Sequence, residues 1–233
     1  MSRVELSNKL DLDRIVFIGR TYEEYVKMFS LKENELKGKR ILDCPAGACS
    51  FTAVVKEKGF DVTACDIAYS VPVESLVKKG LNDITHAMES MEKIKHGYKW
   101  DFFNNIEELK HHRIRALKDC TASMKKFPRQ YVTATLPHLP FQNNEFDLTL
   151  SAHFLFMYGD RLDYTFHLKT LKELLRVTKE ELRIFPLVDL EGEKYERLEE
   201  LLNELGSGIS FEEERVSYEF QSNAHTVLKI YKK

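Results

Sequence analysis

Two aspartates bracket the stretch of this chain best suited to holding a small ligand. Asp43 ends the apolar pair Ile41-Leu42 and is followed by Cys44-Pro45-Ala46-Gly47-Ala48-Cys49. Small side chains let the backbone approach a ligand closely, a glycine reaches positive φ, and a following helix presents unpaired N–H groups. Asp66 closes the next apolar run, where a carboxylate can accept both hydroxyls of a ribose. The common phosphate binders do not fit. Ala48-Cys49-Ser50 lacks the lysine of a phosphate-binding loop, and Gly47 alone does not make the G-x-G-x-x-G of a dinucleotide fingerprint. A carboxylate at 43 would also repel a pyrophosphate. It suits a nucleoside ligand that carries a cation where others carry phosphates.

Other residues add chemistry at the same end of the chain's elements. Arg20 can pair bidentately with a ligand carboxylate, and it stands beside Tyr22 and Tyr25 on a helix that can cap a pocket; a surface charge and two core aromatics are the alternative. His153 follows a later strand and is either a general base, a substrate-orienting group or a satisfied core histidine. Cys44, Cys49, Cys65 and Cys120 lack the paired spacing of a metal site and read as packing, so no metal is expected.

The elements that position these residues follow from periodicity. Tyr22, Tyr25, Val26 and Phe29 fall at helical spacing after a Thr21 cap with Glu24 three residues on. A strand over Arg40 to Cys44, a helix over Ser50 to Lys58 and a strand over Asp61 to Asp66 make a right-handed βαβ unit. From 71 to 129 the rhythm stops. Helices over Val73 to Lys95 and Ile106 to Met124 are expected there, with an aromatic knot at Tyr98, Trp100, Phe102 and Phe103 and a basic run from Lys110 to Arg129. This stretch is too long for an ordinary connection and reads as a helical insertion over one end of the sheet. Strands over Tyr131 to Thr135, Phe146 to Ser151 and Glu181 to Val188 follow, with helices over Asp160 to Thr178 and Lys194 to Leu205. Two β-rich runs, Ile209 to Phe220 and His225 to Tyr231, should pair as a hairpin across Gln221-Ser222-Asn223. The fold expected is α/β, a doubly wound, mostly parallel seven-stranded sheet, in one domain with an N-terminal helical segment over 1–38.

These motifs, in this order, resemble the class I S-adenosylmethionine-dependent methyltransferases. ILDCPAGACSF is similar to the family's first motif, Asp66 to its ribose-binding acid, LPHLPFQNNEFDLTLSAHFLF to its run from the adenine loop through the fourth strand, and LKELLRVTKEELRIFP to its fifth helix and strand. S-adenosylmethionine has a ribose, an ammonium and a sulfonium, and no phosphate. The resemblance therefore implies that Asp43, Ala46, Gly47, Ala48, Asp66, Ile67, Thr135, Leu136 and Ser151 line the cofactor, with Arg20 and Tyr25 as candidates from the preceding helix. Pro45 and Cys49 replace family glycines, and Thr135 stands where an aspartate is common. The reaction implied is methyl transfer to a small-molecule acceptor. An RNA or protein acceptor gripped by the basic insertion, and a catalytically silent S-adenosylmethionine-binding module, are the other readings.

Composition sets the outer limits. The 233 residues carry 35 Lys and Arg against 37 Asp and Glu, so no whole-surface attraction to nucleic acid or anionic membrane is expected. Hydrophobic residues make up 43% of the chain, enough for a packed core. Charges at the N-terminus where a signal peptide is apolar, and cysteines too few for a disulfide framework, favour a soluble protein of a reducing cytoplasm.

Overall fold

A computed structural model describes residues 16–233; the first part of the helical segment expected over 1–38 lies outside the described residues. The strands are β1 (Arg40–Asp43), β2 (Asp61–Asp66), β3 (Tyr131–Thr133), β4 (Phe146–Ala152), β5 (Thr178–Phe185), β6 (Ile209–Arg215) and β7 (Thr226–Lys232). They form one sheet in the order β3-β2-β1-β4-β5-β7-β6. All neighbours through β5 are parallel, and β7 is antiparallel to both β5 and β6, so it alone runs against the rest. This is the doubly wound sheet expected from the sequence.

Alternation along the strands splits the core into two layers. Ile41 faces one buried cluster and Leu42 the other; Leu182 and Ile184 share a face that Phe185 leaves. Period-two patterning with both faces apolar is what a sheet covered on both sides requires. Helices α1 (Tyr22–Met28), α2 (Glu33–Leu36) and α3 (Phe51–Glu57) pack with the first cluster, and α6 (Tyr164–Val177) and α7 (Leu198–Glu204) with the second. The α1 cap is the one expected: the Thr21 side chain accepts from the Glu24 N–H, and the Glu24 carboxylate accepts from the Thr21 N–H.

The insertion is a pair of long helices, α4 (Val73–Ile94) and α5 (Ile106–Lys126), entered through a 3₁₀ turn at Ile67–Ser70. Leu76, Gly80, Ile84, Ala87, Met88 and Met91 make the buried stripe of α4. Gly80 sits where the helices cross. A Cβ there would lie 2.7 Å from the Leu117 side chain, so glycine sets how closely α4 and α5 approach.

Several boundaries differ from expectation: β3 ends at Thr133, β5 at Phe185, and α7 begins only at Leu198. The helix expected from Asp160 begins at Tyr164 because Asp163 caps it, accepting from the Phe166 N–H at 2.7 Å. Strand β5 starts at Thr178 directly after α6, and the Thr178 hydroxyl pairs with Thr149 on β4 at 2.7 Å, so Lys179 to Glu181 form no turn. The terminal hairpin is not tight. β6 ends at Arg215, the Val216 N–H donates to His225 O, and the loop between carries Tyr218 and Phe220 into the core. Their alternation with Val216 imitates a strand, but the face it makes packs on the insertion.

Candidate active site

Strand order reverses between β1 and β4, and the carboxyl ends of β1 to β5 open into one cavity of about 590 Å³. An open α/β sheet binds its ligand at this place. The loop after β1 forms the floor. Gly47 adopts φ +54, a conformation costly for a side-chain residue, and its carbonyl is held by the Tyr69 hydroxyl at 2.8 Å. Its N–H donates to Asp66 Oδ2 at 2.9 Å, while Asp66 Oδ1 accepts from the Ala68 N–H at 2.8 Å. Each carboxylate oxygen has acceptor capacity beyond its one bond, and the residue lines the cavity. Burial raises the Asp66 carboxyl above its usual value, and the two backbone donors oppose that shift.

Of the residues expected at a cofactor, Arg20, Ala46, Gly47, Asp66, Ile67, Thr135 and Leu136 line this cavity, and His153 lines it as well. Asp43, Ala48, Ser151 and Tyr25 lie behind the wall, each fully or almost fully buried. Asp43 sits under the loop it precedes. Its Oδ1 accepts from the Tyr25 hydroxyl at 3.0 Å, and its Oδ2 has no partner. Burial, reinforced by the charge of Asp66 and opposed by the Tyr25 bond, pushes its carboxyl up to about 8. Ile67, beside Asp66, is 59% exposed, an apolar surface that a bound flat ring would cover.

A strap over residues 16–20 crosses above the loop, and sequence reasoning gave no sign of it except Arg20. Its Phe17 N–H donates to Asp83 Oδ2 on α4 at 2.7 Å, and Ser50 N–H donates to Arg20 O at 3.0 Å. A Cβ on Gly19 would stand 1.9 Å from the Ala48 carbonyl oxygen, so only glycine lets strap and loop touch. Arg20 lines the cavity, and its Nε is buried without a partner. Burial and the nearby Arg113 lower its pKa, and Glu24, whose charge reaches it, is engaged elsewhere.

That engagement is the other feature the sequence did not announce. Arg113 on α5 forms a bidentate pair with Glu24 on α1, at 2.6 and 2.9 Å, and the Tyr218 hydroxyl donates to Glu24 Oε1 at 2.7 Å. All three side chains are buried. Despite the cost of burial, the Arg113 charge and bonds bring the Glu24 carboxyl down to about 2. Arg113 therefore belongs to the interior, although it sits within the basic run. Other cations of that run are also matched by acids: Arg115 by Glu23, Lys125 by Glu74 and Lys126 by Glu57.

The rest of the cavity is lined largely by apolar side chains. Ala87, Met88 and Met91 of α4, Leu109 of α5, and Met157, Leu162 and Phe166 after β4 wall it. His153 stands there at φ +52, its N–H bonded to Phe185 O at 2.7 Å and its Nδ1 unpartnered. Burial, with Arg20 and Arg113 behind it, holds its imidazole pKa well below the usual value. Of the aromatic knot only Tyr98 faces the cavity. Trp100 and Phe103 pack edge-on against Phe220, and Phe102 against Tyr218, closing the insertion onto the C-terminal loop. Cys44 and Cys65 lie side by side with Sγ atoms 3.5 Å apart, and all four cysteines are free and buried. No group of His, Cys, Asp and Glu among the described residues could hold a metal ion, and no described helix is long and apolar enough to cross a membrane.

The chain is 36% identical over 222 residues to the uncharacterized protein MJ0045 of Methanocaldococcus jannaschii, covering 95% of this chain and 98% of that one. It belongs to that protein's family. No protein-family model matches. Among solved structures, the magnesium protoporphyrin IX methyltransferase of Synechocystis with bound S-adenosylhomocysteine is 11% identical, with a TM-score of 0.47, over 91% of this chain and 82% of that one. A SAM-dependent methyltransferase from Aquifex aeolicus is 18% identical, with a TM-score of 0.41, over 91% and 88%. The sheet order of the MJ0045-family chain is that of the Rossmann-like methyltransferase fold.

Proposed function

We propose that the protein is an S-adenosylmethionine-dependent methyltransferase acting on a small-molecule acceptor. The observation that carries this is the nucleotide end of the cavity. Asp66 waits there with spare lone pairs between a glycine cradle and exposed Ile67, without any phosphate-binding feature. Asp66 would take the ribose hydroxyls, Ile67 and Leu136 the adenine, and Gly47 the close backbone contact. Arg20 would take the amino-acid carboxylate. Asp43, buried behind the wall, would not touch the ligand; its carboxyl would favour the ammonium from one layer below. When bound, this cofactor supplies an electrophilic methyl on a sulfonium.

The chain's own part is alignment and exclusion of water, because displacement at carbon needs reacting atoms held in line in a dry pocket. The strap, the loop and α4 enclose the cofactor end, while the apolar wall holds the acceptor. The matched charges of the insertion leave little reason to prefer an RNA acceptor. Calorimetry of the purified protein with S-adenosylmethionine, S-adenosylhomocysteine and NAD tests the reading. Binding of the two sulfur nucleosides and not NAD is expected, and tight NAD binding alone would end it.

A further inference from the structure

The acceptor end of the cavity is selective in what it offers. Asp66, at the opposite end, is the one acid among its described lining residues. A cationic amine placed over β4 and β5 would therefore lie unpaired among Met88, Met91, Leu109 and Met157, which is costly in an apolar site. An anionic acceptor fares little better. Lys79 is bound to Asp83 at 2.5 Å and Arg113 to Glu24, while Arg20 is assigned to the cofactor carboxylate. What remains is a wall dominated by thioethers and aromatic rings, with His153 the one histidine among the described lining residues. Methionine sulfur against ring edges favours a flat unsaturated guest.

We propose that the acceptor is an apolar, ring-bearing molecule presenting a single weakly acidic hydroxyl, of phenol or enol type, to His153. This rests on the methyltransferase reading and names its substrate class. The imidazole is neutral at neutral pH because burial and two arginines oppose its charging; its Nδ1 is buried without a partner, and with the ring proton there it offers a lone pair at Nε2. In the step, the hydroxyl proton passes to His153 Nε2 and the oxygen forms a bond to the methyl carbon. The bond from that carbon to sulfur breaks with its electron pair left on sulfur. The products are the methyl ether and S-adenosylhomocysteine, and the imidazolium returns its proton to water.

The test uses the full chain, first titrated with S-adenosylhomocysteine and then, so loaded, with two probes that share one ring system, naphthol and naphthylmethylamine. Naphthol should bind at least about tenfold more tightly than the amine, a difference of about 1.4 kcal/mol. With S-adenosylmethionine, naphthol should give methoxynaphthalene. His153→Asn, chosen because asparagine tolerates positive φ, should lose about 10²-fold or more of that turnover. Its affinity for S-adenosylhomocysteine should be unchanged. If S-adenosylhomocysteine binds but the amine matches or exceeds naphthol, or naphthol binds and is not methylated, the acceptor proposal is overturned while the cofactor reading stands. Full turnover by folded His153→Asn overturns it too. If S-adenosylhomocysteine does not bind at all, both readings fall.

Discussion

Replacing Asp43 by asparagine should make the ligand-free protein more stable at neutral pH, although the residue stands at the centre of the cofactor motif. The carboxyl is fully buried, with one oxygen on the Tyr25 hydroxyl and the other without a partner. Its pKa rises from an ordinary 3.8 to about 8. The folded state thus keeps a proton that the unfolded chain releases. The contribution of this group is fully present below about pH 4 and is lost as pH climbs through about 8, at about 1.4 kcal/mol per unit. At pH 7 the accumulated loss is about 4 kcal/mol, an order-of-magnitude figure. In Asp43→Asn the amide keeps the shape and an acceptor for Tyr25 and has nothing to ionise. Urea denaturation from pH 5 to 9 should show the variant's advantage growing with pH and levelling above about 8, beside a loss of S-adenosylmethionine affinity. If the two proteins' stabilities run parallel across that range, Asp43 is not held protonated, and the account of the loop's electrostatics is wrong.

Asp66→Ala should weaken S-adenosylhomocysteine binding by about 1.5–3 kcal/mol for each charge-assisted bond lost, read by calorimetry on a variant whose circular dichroism is unchanged. Gly19→Ala should lower both the melting temperature and cofactor affinity, because its methyl meets the Ala48 carbonyl at 1.9 Å and strap and loop must separate. Arg113→Met leaves the buried Glu24 carboxylate bonded only to Tyr218 and Thr21, and should cost about 3–5 kcal/mol in denaturant melts. The Glu24→Gln and Arg113→Met pair should be less damaging together than their separate losses suggest, since no unpaired charge remains.

Much of the fold was legible because it depends on short-range signals. Strand β2 and the starts of α4 and α5 follow from apolar period, which acts within a few residues. Asp66 and Gly47 were legible for the same reason, since each ends an element whose neighbours announce it. The strap was not, because residues 16–20 have no regular structure and their importance comes from Gly19 meeting Ala48 and Phe17 meeting Asp83. Arg113 is one more cation of the basic run in the sequence, and nothing local reports a partner 89 positions away. Asp43 shows the limit in another way. Its place in the motif was evident, but its position under the cavity floor is a matter of how the loop folds over it.

The buried triad explains why the insertion belongs to the site and not beside it. Glu24 comes from the helix before β1, Arg113 from the insertion and Tyr218 from the loop between the last two strands, and they meet around one carboxylate. A surface ion pair contributes little and yields easily, whereas breaking a desolvated, bidentate one leaves a charge with nowhere to go. The aromatic contacts of Trp100, Phe102 and Phe103 with Phe220 and Tyr218 close the same insertion and loop from the outside. Arg113, Tyr218 and Phe220 themselves line the cavity, so the contacts that lock these segments also fix how far Leu109 and Arg113 on one wall stand from Phe220 on the other. The shape of one side of the cavity is therefore set by contacts between segments far apart in the chain, while the pairing of Gly47 with Asp66 is set by two adjacent strands. That division accounts for a chain whose loop after β1 resembles a known motif while the residues lining the rest of the cavity do not.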